Sequence, residues 1–426
     1  MGEKIKKYTI KSKLFVKSKF EKEDGAGWLL LQQIIIAPMS LLTTVLLAKV
    51  LSIETYGYYK YILSIYGVIS IFSLSGFYSI SFLNVQRGQD EFFNIGFKYR
   101  KLLRWIPAII TLFLSLYYFY NNNNFLGLLF LITIFSHLFV DLYDLYLIAT
   151  NGKGDFKLNA KLAILSYFVS FFPSIFVAYF ISQNLYLVFG TMFFFQFLFR
   201  YFAFQYVKKK YNFHSNKDFI LDIKKKKEFE RESLSLSLNN ALAGINGNAS
   251  NAIVFNRLGA EATAIYSLAI TFADFIYGII SAPLSKTLLI LSKMTRDGVA
   301  NIEKIKLIKS MSKNYFWLAF LGMVLCMIFL PFVYKFLFAK YLFSYKYAVV
   351  YSLSILAVAL YPAFQYFYEA RNIKLLNTVQ IITLIIGLTA LFFSSWHFGL
   401  WGAIIVAMIM RFGNNVTCLL FLNKEK

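Results

Sequence analysis

The sequence has few charged residues for its length, and acidic residues are the scarcer kind. Only 15% of its 426 residues are charged, with 21 Asp and Glu against 44 Lys and Arg. A soluble chain carries about 25% charged residues, which cover its surface. Hydrophobic residues make up 58% of the chain. This composition excludes a soluble domain and indicates a protein with many membrane spans.

Residues that bind metals or form disulfides are also scarce. The two cysteines, Cys326 and Cys418, both lie within apolar runs, which predicts buried neutral thiols rather than a disulfide. His137, His214 and His397 are far apart and lack the spacing of metal ligands. There is no phosphate-binding loop and no zinc motif. The sequence therefore predicts neither a metal nor a cofactor.

The net charge of +23 points to a lipid surface. In a soluble protein it would suggest nucleic acid, but here Lys and Arg lie in short runs between apolar segments of about 20 residues. Residues 1–27 carry eight lysines without a long apolar core, which predicts a cytoplasmic basic arm and not a cleavable signal. Residues 208–232 form a second basic segment, a predicted cytoplasmic linker that binds anionic membrane lipids. We expect no nucleic-acid partner.

Apolar runs long enough to cross about 30 Å of hydrocarbon as helices occur throughout the chain. The seventh run is the least apolar because it contains "SLNNALAGINGNASNAIVF", and a span this polar must face protein or water. Twelve spans are predicted, at residues 28–50, 56–83, 102–120, 125–149, 161–181, 185–207, 233–256, 262–291, 314–334, 347–368, 376–395 and 399–422.

Lys and Arg are distributed unequally between the two sides of these spans. On one side, the loops and the adjoining span ends hold only five: Lys49, Arg257, Lys335, Lys340 and Lys346. Because cytoplasmic loops are enriched in Lys and Arg, both termini are predicted to lie in the cytoplasm, including the tail 423–426. This orientation is that of a multi-pass protein of the inner (plasma) membrane.

The second half of the sequence repeats the first. A shift of 207 residues places Leu51, Glu54 and Tyr59 on Leu258, Glu261 and Tyr266. The repeat predicts an all-α fold of two pseudo-symmetric six-helix lobes around a central cavity, an N-lobe at 28–207 and a C-lobe at 233–422.

Polar residues recur at helical spacing on the first two helices of each half. Such a stripe in a membrane helix has two interpretations: close packing through small residues, or the wall of a polar cavity. Because both halves keep the stripe, a shared cavity is the simpler prediction. The predicted polar face includes Gln33, Asn240, Asn251 and Thr271.

Four cations, Lys60, Arg200, Lys286 and Arg411, lie more than three residues inside the predicted spans, where an unpaired charge costs about 2.5–3.5 kcal/mol. Arg411 lies near the middle of the last span, too deep to reach the headgroups, whereas Lys60 and Lys286 lie nearer the span ends. These three are the candidates for a cationic lumen that binds an anionic substrate group, such as a phosphate. Arg200 is close to the lysines at 208–210 and is predicted to extend toward the cytoplasmic headgroups.

Acidic residues within the spans are candidates for ion coupling, to a proton or to sodium. Asp274 lies on the polar stripe and is either the counter-ion of Arg411 or a titrating group. His137, Asp141 and Asp144 share one helix face in the fourth span. Their spacing suits a proton relay, and it suits a packed, hydrogen-bonded polar face equally well.

Two motifs carry a family resemblance: "LLAKVLSIETYGYYKYILSI" after the first span and "LGAEATAIYSLAITFADFIYGIISAPLSKTLL" across the seventh-to-eighth turn. With the basic linker and the twelve spans, the chain resembles a Wzx-type polysaccharide flippase of the multidrug/oligosaccharidyl-lipid/polysaccharide (MOP) exporter superfamily. The resemblance implies a MATE-like fold and a non-enzymatic function: translocation of a lipid-linked oligosaccharide, carried on an isoprenoid pyrophosphate such as undecaprenyl pyrophosphate, to the outer leaflet.

The same resemblance implies alternating access of two lobes around a cationic lumen, coupled to an ion gradient or to the membrane potential. It implies a role in O-antigen (lipopolysaccharide) or capsule assembly, together with glycan polymerase machinery.

Three alternatives remain. A multidrug antiporter of the same fold should have more acidic than basic residues in its lumen. A flippase for peptidoglycan precursor usually has spans beyond twelve. An integral-membrane glycan polymerase, ligase or acyltransferase needs a large external loop or a catalytic His/Asp set, whereas the longest predicted outer connection is the short segment around 335–346.

Overall fold

The computed structural model describes residues 26–213 and 223–424, apart from 282–283, 285–286, 288–289, 292–293, 295–297 and 370–372. These residues form helices joined by short connections, and no β-strand occurs among them. The all-α prediction is confirmed.

The helices of the first half follow one another with short 3-10 or π turns between some of them. Ser52 begins the second helix, where its side chain accepts a hydrogen bond from the Thr55 amide, as is usual at a helix N-terminus. The helices are α1 (Ala26–Val50), α2 (Ile53–Ser70), α3 (Gly76–Gln86), α4 (Glu91–Leu103), α5 (Trp105–Tyr120), α6 (Asn124–Phe135), α7 (Tyr146–Gly152), α8 (Phe156–Phe176) and α9 (Leu185–Lys210).

The second half contains longer helices. The two longest helices change direction at a glycine. Two 3-10 segments, Ala339–Ser344 and Leu353–Leu360, each precede a shorter α-helix. The helices are α10 (Ile223–Ser281), α11 (Asn301–Leu337), α12 (Tyr345–Ser352), α13 (Tyr361–Glu369) and α14 (Ile373–Lys424).

Many of the described helices are suited to span a membrane. Nine are long and apolar enough to cross a membrane, or ten if the bent pair Ile53–Ser73 and Gly76–Gln86 is one span. Two helices contain a break, at Gly259 (φ 86°) in α10 and at Gly399 (φ 58°) in α14. Glycine has no Cβ and adopts a positive φ without strain. α10 and α14 thus each consist of two helical parts, and the count of twelve spans stays a prediction.

The chain forms two compact units. The first comprises residues 26–40, 73–180 and 186–236 of the described chain, and the second comprises residues 41–72, 181–185 and 237–424. The core of the first unit contains the buried aromatic side chains of Phe93 and Tyr146. The core of the second contains Tyr366 and Cys418, a free and buried thiol as predicted. The lobe boundaries 28–207 and 233–422 stay a prediction.

Within the second unit, α2 packs closely against α10. A Cβ at Gly57 would overlap the Ala260 carbonyl, so only glycine permits this approach. The Tyr61 ring stacks on Phe255 with 3.8 Å between ring centroids. We call the contact of these four residues the α2–α10 seam. It brings the two repeated turns of the sequence side by side.

Candidate functional site

A cavity of about 270 Å³ lies in the second unit, between α10, α12 and α14. Its lining combines charged, polar and apolar side chains, as ligand sites usually do. The lining residues are Gly247, Ser250, Asn251, Tyr266, Ile270, Asp274, Tyr351, Ala407, Met410 and Arg411.

Arg411 is the cation of this cavity. One terminal nitrogen of its guanidinium donates to the Asp274 carboxylate, to the Tyr351 hydroxyl at 3.2 Å and to Ser354 Oγ at 3.5 Å. The guanidinium carbon lies 3.9 Å from the centre of the Tyr277 ring, a cation–π contact. The side chain is 20% exposed. Arg411 is therefore largely desolvated and held on several sides.

Asp274 is the more exposed partner of the pair. Its side chain is 43% exposed, and the Tyr351 hydroxyl donates to it at 3.5 Å. The sequence leaves Asp274 as either the counter-ion of Arg411 or a titrating group. The structure shows the ion pair with Arg411. The cation of this cavity is thus neutralised by a carboxylate that also lines the cavity.

The predicted polar face divides between the cavity and other surroundings. Asn251 lines the cavity, and its side-chain oxygen accepts a hydrogen bond from Ser267 Oγ at 2.9 Å. Thr271 donates to the Ser267 carbonyl at 2.6 Å, one turn back on the same helix. Gln33 and Asn240 are exposed, and neither lines this cavity. Of the predicted polar face, Asn251 therefore lines the same cavity as Arg411 and Asp274, whereas Gln33 and Asn240 do not.

The other two predicted cations have different positions. The Lys60 ammonium lies 5.4 Å from the centre of the Tyr56 ring. Lys60 is partly exposed and is not among the cavity-lining residues. Lys286 lies outside the described residues.

A second charged cluster lies in the first unit. Arg200 pairs with Asp144 at 2.6 Å and approaches Asp141 at 3.9 Å. His137 Nδ1 lies 3.3 Å from the Asp141 carboxylate. The predicted group of His137, Asp141 and Asp144 is thus brought together. The prediction that Arg200 extends toward the headgroups is wrong, because its guanidinium turns into the protein to pair with Asp144.

This cluster surrounds an irregular turn between α6 and α7. Residues Ser136–Val140 form a π turn, and Asp141–Leu145 form a 3-10 turn. A change of helix type alters the regular carbonyl pairing, and charged donors bind these carbonyls strongly. Three arginines donate to them: Arg104 to Leu138 at 2.5 Å, Arg200 to Val140 at 3.4 Å and Arg100 to Asp141 at 3.1 Å.

The first unit also has a groove of about 400 Å³ between α8 and α9. Apolar side chains such as Leu162 and Phe199 line it, with Tyr206 at one end, and none of the arginines above contributes to it. The groove has no charged group to orient a ligand. The cavity at Arg411 is therefore the better candidate site, since a few convergent polar groups give a pocket its specificity.

Sequence reasoning missed some partners of these charges. Tyr277 lies three residues after Asp274, so the i, i+3 spacing of a helix face was an available signal. Tyr351 and Ser354 come from a distant segment without any such signal. Arg100 and Arg104 lie around the start of the third predicted span, and nothing in the sequence indicates the π turn that they bind.

Comparison with known proteins identifies the family. Residues 23–294 match the family model described as "Polysaccharide biosynthesis protein". No curated protein matches the chain.

Solved structures of similar fold cover nearly the whole chain. The lipid II flippase MurJ in an inward closed conformation matches with a TM-score of 0.71 and 14% identity, over 92% of this chain and 87% of that one. A variant of the MATE transporter VcmN of Vibrio cholerae matches with a TM-score of 0.60 and 13% identity, over 94% and 95%. An outward-facing MATE transporter of the MOP superfamily matches with a TM-score of 0.61 and 12% identity, over 95% of each chain.

These likenesses confirm the predicted fold, and the family match covers more than half of the sequence. The chain therefore belongs to the polysaccharide biosynthesis protein family and is a multi-pass membrane protein with the fold of MOP-superfamily exporters.

Proposed function

We propose that this protein is a flippase for an isoprenoid-pyrophosphate-linked oligosaccharide repeat unit. It moves the unit from the cytoplasmic to the outer leaflet of the plasma membrane by alternating access, for assembly of a surface polysaccharide such as O-antigen or capsule. The family match and the MurJ-like fold support this proposal. The observation that carries it is Arg411, a largely buried guanidinium in the wall of a cavity.

The cavity suits the charged headgroup of such a lipid. A pyrophosphate cannot cross hydrocarbon unaided because its charge is strongly hydrated. Arg411 offers a planar set of donors that matches phosphate oxygens, and Ser250 and Asn251 add polar groups beside it. At about 270 Å³ the space lies below the usual range of about 300–1,000 Å³ for ligand pockets. We assign it to the pyrophosphate, so the oligosaccharide and the isoprenoid chain lie outside it.

The rest of the proposal concerns the transport cycle. Lys60 and Lys286 supply further positive charge, and the lobes 28–207 and 233–422 move in alternating access. Asp274 or the group of His137, Asp141 and Asp144 binds a coupling proton or sodium ion. Both termini lie in the cytoplasm, and the exported unit passes to glycan polymerase machinery.

Complementation tests this function. The wild-type chain, expressed with its cognate glycan genes in a strain that lacks its own repeat-unit flippase, should restore surface glycan. Arg411→Ala should lower surface glycan at least about tenfold, because the headgroup loses a charged hydrogen-bond donor. Equal membrane levels of both proteins must be confirmed by immunoblot.

Lys346→Ala is the matched control, since the Lys346 ammonium lies 5.2 Å from the Tyr347 ring and outside the cavity lining. It should restore surface glycan fully. If Arg411→Ala restores as well as the control, Arg411 is not the headgroup site. If wild type fails with its cognate genes, repeat-unit flipping is wrong.

An ion-coupled multidrug antiporter is the second candidate. The exposed carboxylate of Asp274 in the cavity favours it, since a carboxylate binds organic cations. Drug resistance conferred by wild type and lost in Asp274→Asn, without any glycan phenotype, would favour this function. Rescue of a strain depleted of its lipid II flippase would instead indicate a peptidoglycan precursor as the substrate.

A further inference from the structure

The ion pair of the cavity is exposed unequally on its two sides. Arg411 is 20% exposed and Asp274 is 43% exposed. The Tyr277 ring and Ser354 hold the guanidinium in place. A ligand in the cavity therefore meets both a fixed cation and the accessible carboxylate that neutralises it.

Carboxylate and phosphate oxygens compete for the same donors. Both accept the charge-assisted hydrogen bonds of a guanidinium in similar geometry. One terminal nitrogen of Arg411 already donates to Asp274, Tyr351 and Ser354. Two anions held side by side on one guanidinium repel each other. A pyrophosphate that takes this nitrogen must therefore displace the Asp274 carboxylate.

The displaced carboxylate has other partners. The Tyr351 hydroxyl lies 3.2 Å from the Arg411 nitrogen and 3.5 Å from Asp274, so it can remain a donor to either anion. The Asp274 side chain is also 43% exposed. Rotation of Asp274 away from Arg411 thus does not leave its charge buried without a donor.

We propose that Asp274 is an internal competitor of the anionic headgroup. Resting on the proposed flippase function, this inference assigns a role to the carboxylate: pyrophosphate takes Arg411 from Asp274, and the return of Asp274 to Arg411 expels the pyrophosphate. The competition lowers affinity at both faces of the membrane, so that the headgroup does not stay trapped on Arg411. Asp274 thus neutralises Arg411 before the headgroup binds and displaces the headgroup afterwards.

Binding of inorganic pyrophosphate to the purified full-length protein in lipid nanodiscs tests the competition by calorimetry. Asp274→Asn should lower the Kd about tenfold, because removal of a neighbouring anion removes its repulsion. The matched variant Asp274→Glu keeps the charge and should bind like wild type within about threefold. Arg411→Gln should abolish binding.

A second measurement uses wild type, so it does not depend on whether Asp274→Asn folds. In protein labelled with [4-¹³C]Asp, infrared difference spectra should show a shifted carboxylate band on addition of pyrophosphate, since the carboxylate leaves its guanidinium. The shift should vanish in Asp274→Glu, whose glutamate is not labelled.

The outcomes separate the two proposals. Pyrophosphate binding that requires Arg411 but is equal in wild type and Asp274→Asn, without a band shift in wild type, would overturn the competitor role alone. Absence of pyrophosphate binding in every variant would overturn the headgroup site itself, and the competitor role with it.

Discussion

Among the described residues, two arginines within the membrane spans pair with aspartates, and their surroundings differ. In the first unit, Arg200 and Asp144 are 16% and 25% exposed, and Arg200 also donates to a backbone carbonyl. In the second, Arg411 and Asp274 are 20% and 43% exposed and line a cavity. The same two side-chain types thus form a packed cross-link in one unit and an accessible site in the other. The exposure of the carboxylate separates these roles.

The difference has an energetic basis. Removal of one partner from a buried pair leaves the other charge without compensation, whereas an exposed carboxylate recovers hydration. We therefore expect the first pair to matter for stability and the second for transport. The predictions below test this contrast, from the largest expected effect to the smallest.

Arg200→Gln should lower the free energy of unfolding by about 3–5 kcal/mol, because Asp144 and Asp141, which are largely shielded from water, lose their cation. Arg411→Gln, the matched change in the cavity, should cost only about 1–2 kcal/mol, since water reaches Asp274. Unfolding of the detergent-purified proteins, followed by tryptophan fluorescence, measures both. Similar losses in the two variants would contradict the contrast.

Asp144→Asn combined with Arg200→Gln extends the same test. The double variant leaves no unpaired charge at this pair and should recover part of the stability lost in Arg200→Gln. A double variant less stable than Arg200→Gln alone would show that the Arg200 side chain acts mainly through its carbonyl contact.

Arg104→Met should cost about 1–3 kcal/mol of stability, because the Leu138 carbonyl in the π turn loses a charged donor. Lys101→Met is the matched control, an exposed cation of the same helix region, and should change stability by less than about 0.5 kcal/mol. Thermal unfolding midpoints compare them. Equal midpoints would mean that the π turn does not depend on its arginine.

The smallest expected effect on stability concerns Asp155 and Lys210, an ion pair outside the predicted spans. It serves as a reference for the Arg200 and Arg411 clusters. Asp155 begins α8, where its carboxylate accepts hydrogen bonds from the Leu158 amide at 3.0 Å, from Lys210 at 2.6 Å and from Tyr211 at 2.9 Å. Burial raises the pKa of Asp155, but the hydrogen bonds from Lys210, Leu158 and Tyr211 outweigh it. The pKa therefore lies below its ordinary value of 3.8.

Because this pKa is lower in the folded protein, the stabilisation is complete above about pH 4 and is lost as the pH falls through the folded pKa. Asp155→Asn keeps the helix cap but removes the charge, so it should cost less than about 1 kcal/mol at pH 7. Thermal unfolding from pH 7 to pH 3 should show the difference from wild type shrinking below about pH 4. A difference that stays constant over this range would exclude the charge as its cause.

The fold was largely predictable because its signals are local. Apolar runs of sufficient length predicted the spans, and the glycines at 259 and 399 mark the breaks in α10 and α14. Depth along a span also selected Arg411 and Asp274, which contact each other although 137 positions separate them. The sequence left the role of Asp274 open because that contact is long-range.

The predictions that the structure does not support also concern contacts between residues far apart in the sequence. Arg200 was expected to extend toward nearby headgroups, but Asp144 from another helix binds it. Gln33 and Asn240 share the polar stripe in sequence, yet neither lines the cavity, because periodicity gives a helix face and not its neighbours. Such pairings depend on how helices pack, and this information is not contained in a single helix.

The α2–α10 seam has a consequence for the history of the chain. Position 57 corresponds to position 264 in the second copy of the repeat, and there the residue is a fully buried alanine. Only the first copy requires the absence of a side chain, because only Gly57 meets the Ala260 carbonyl. After duplication, the two halves could therefore diverge at this position but not exchange residues. An alanine carried from the second copy into the first would force the two turns apart.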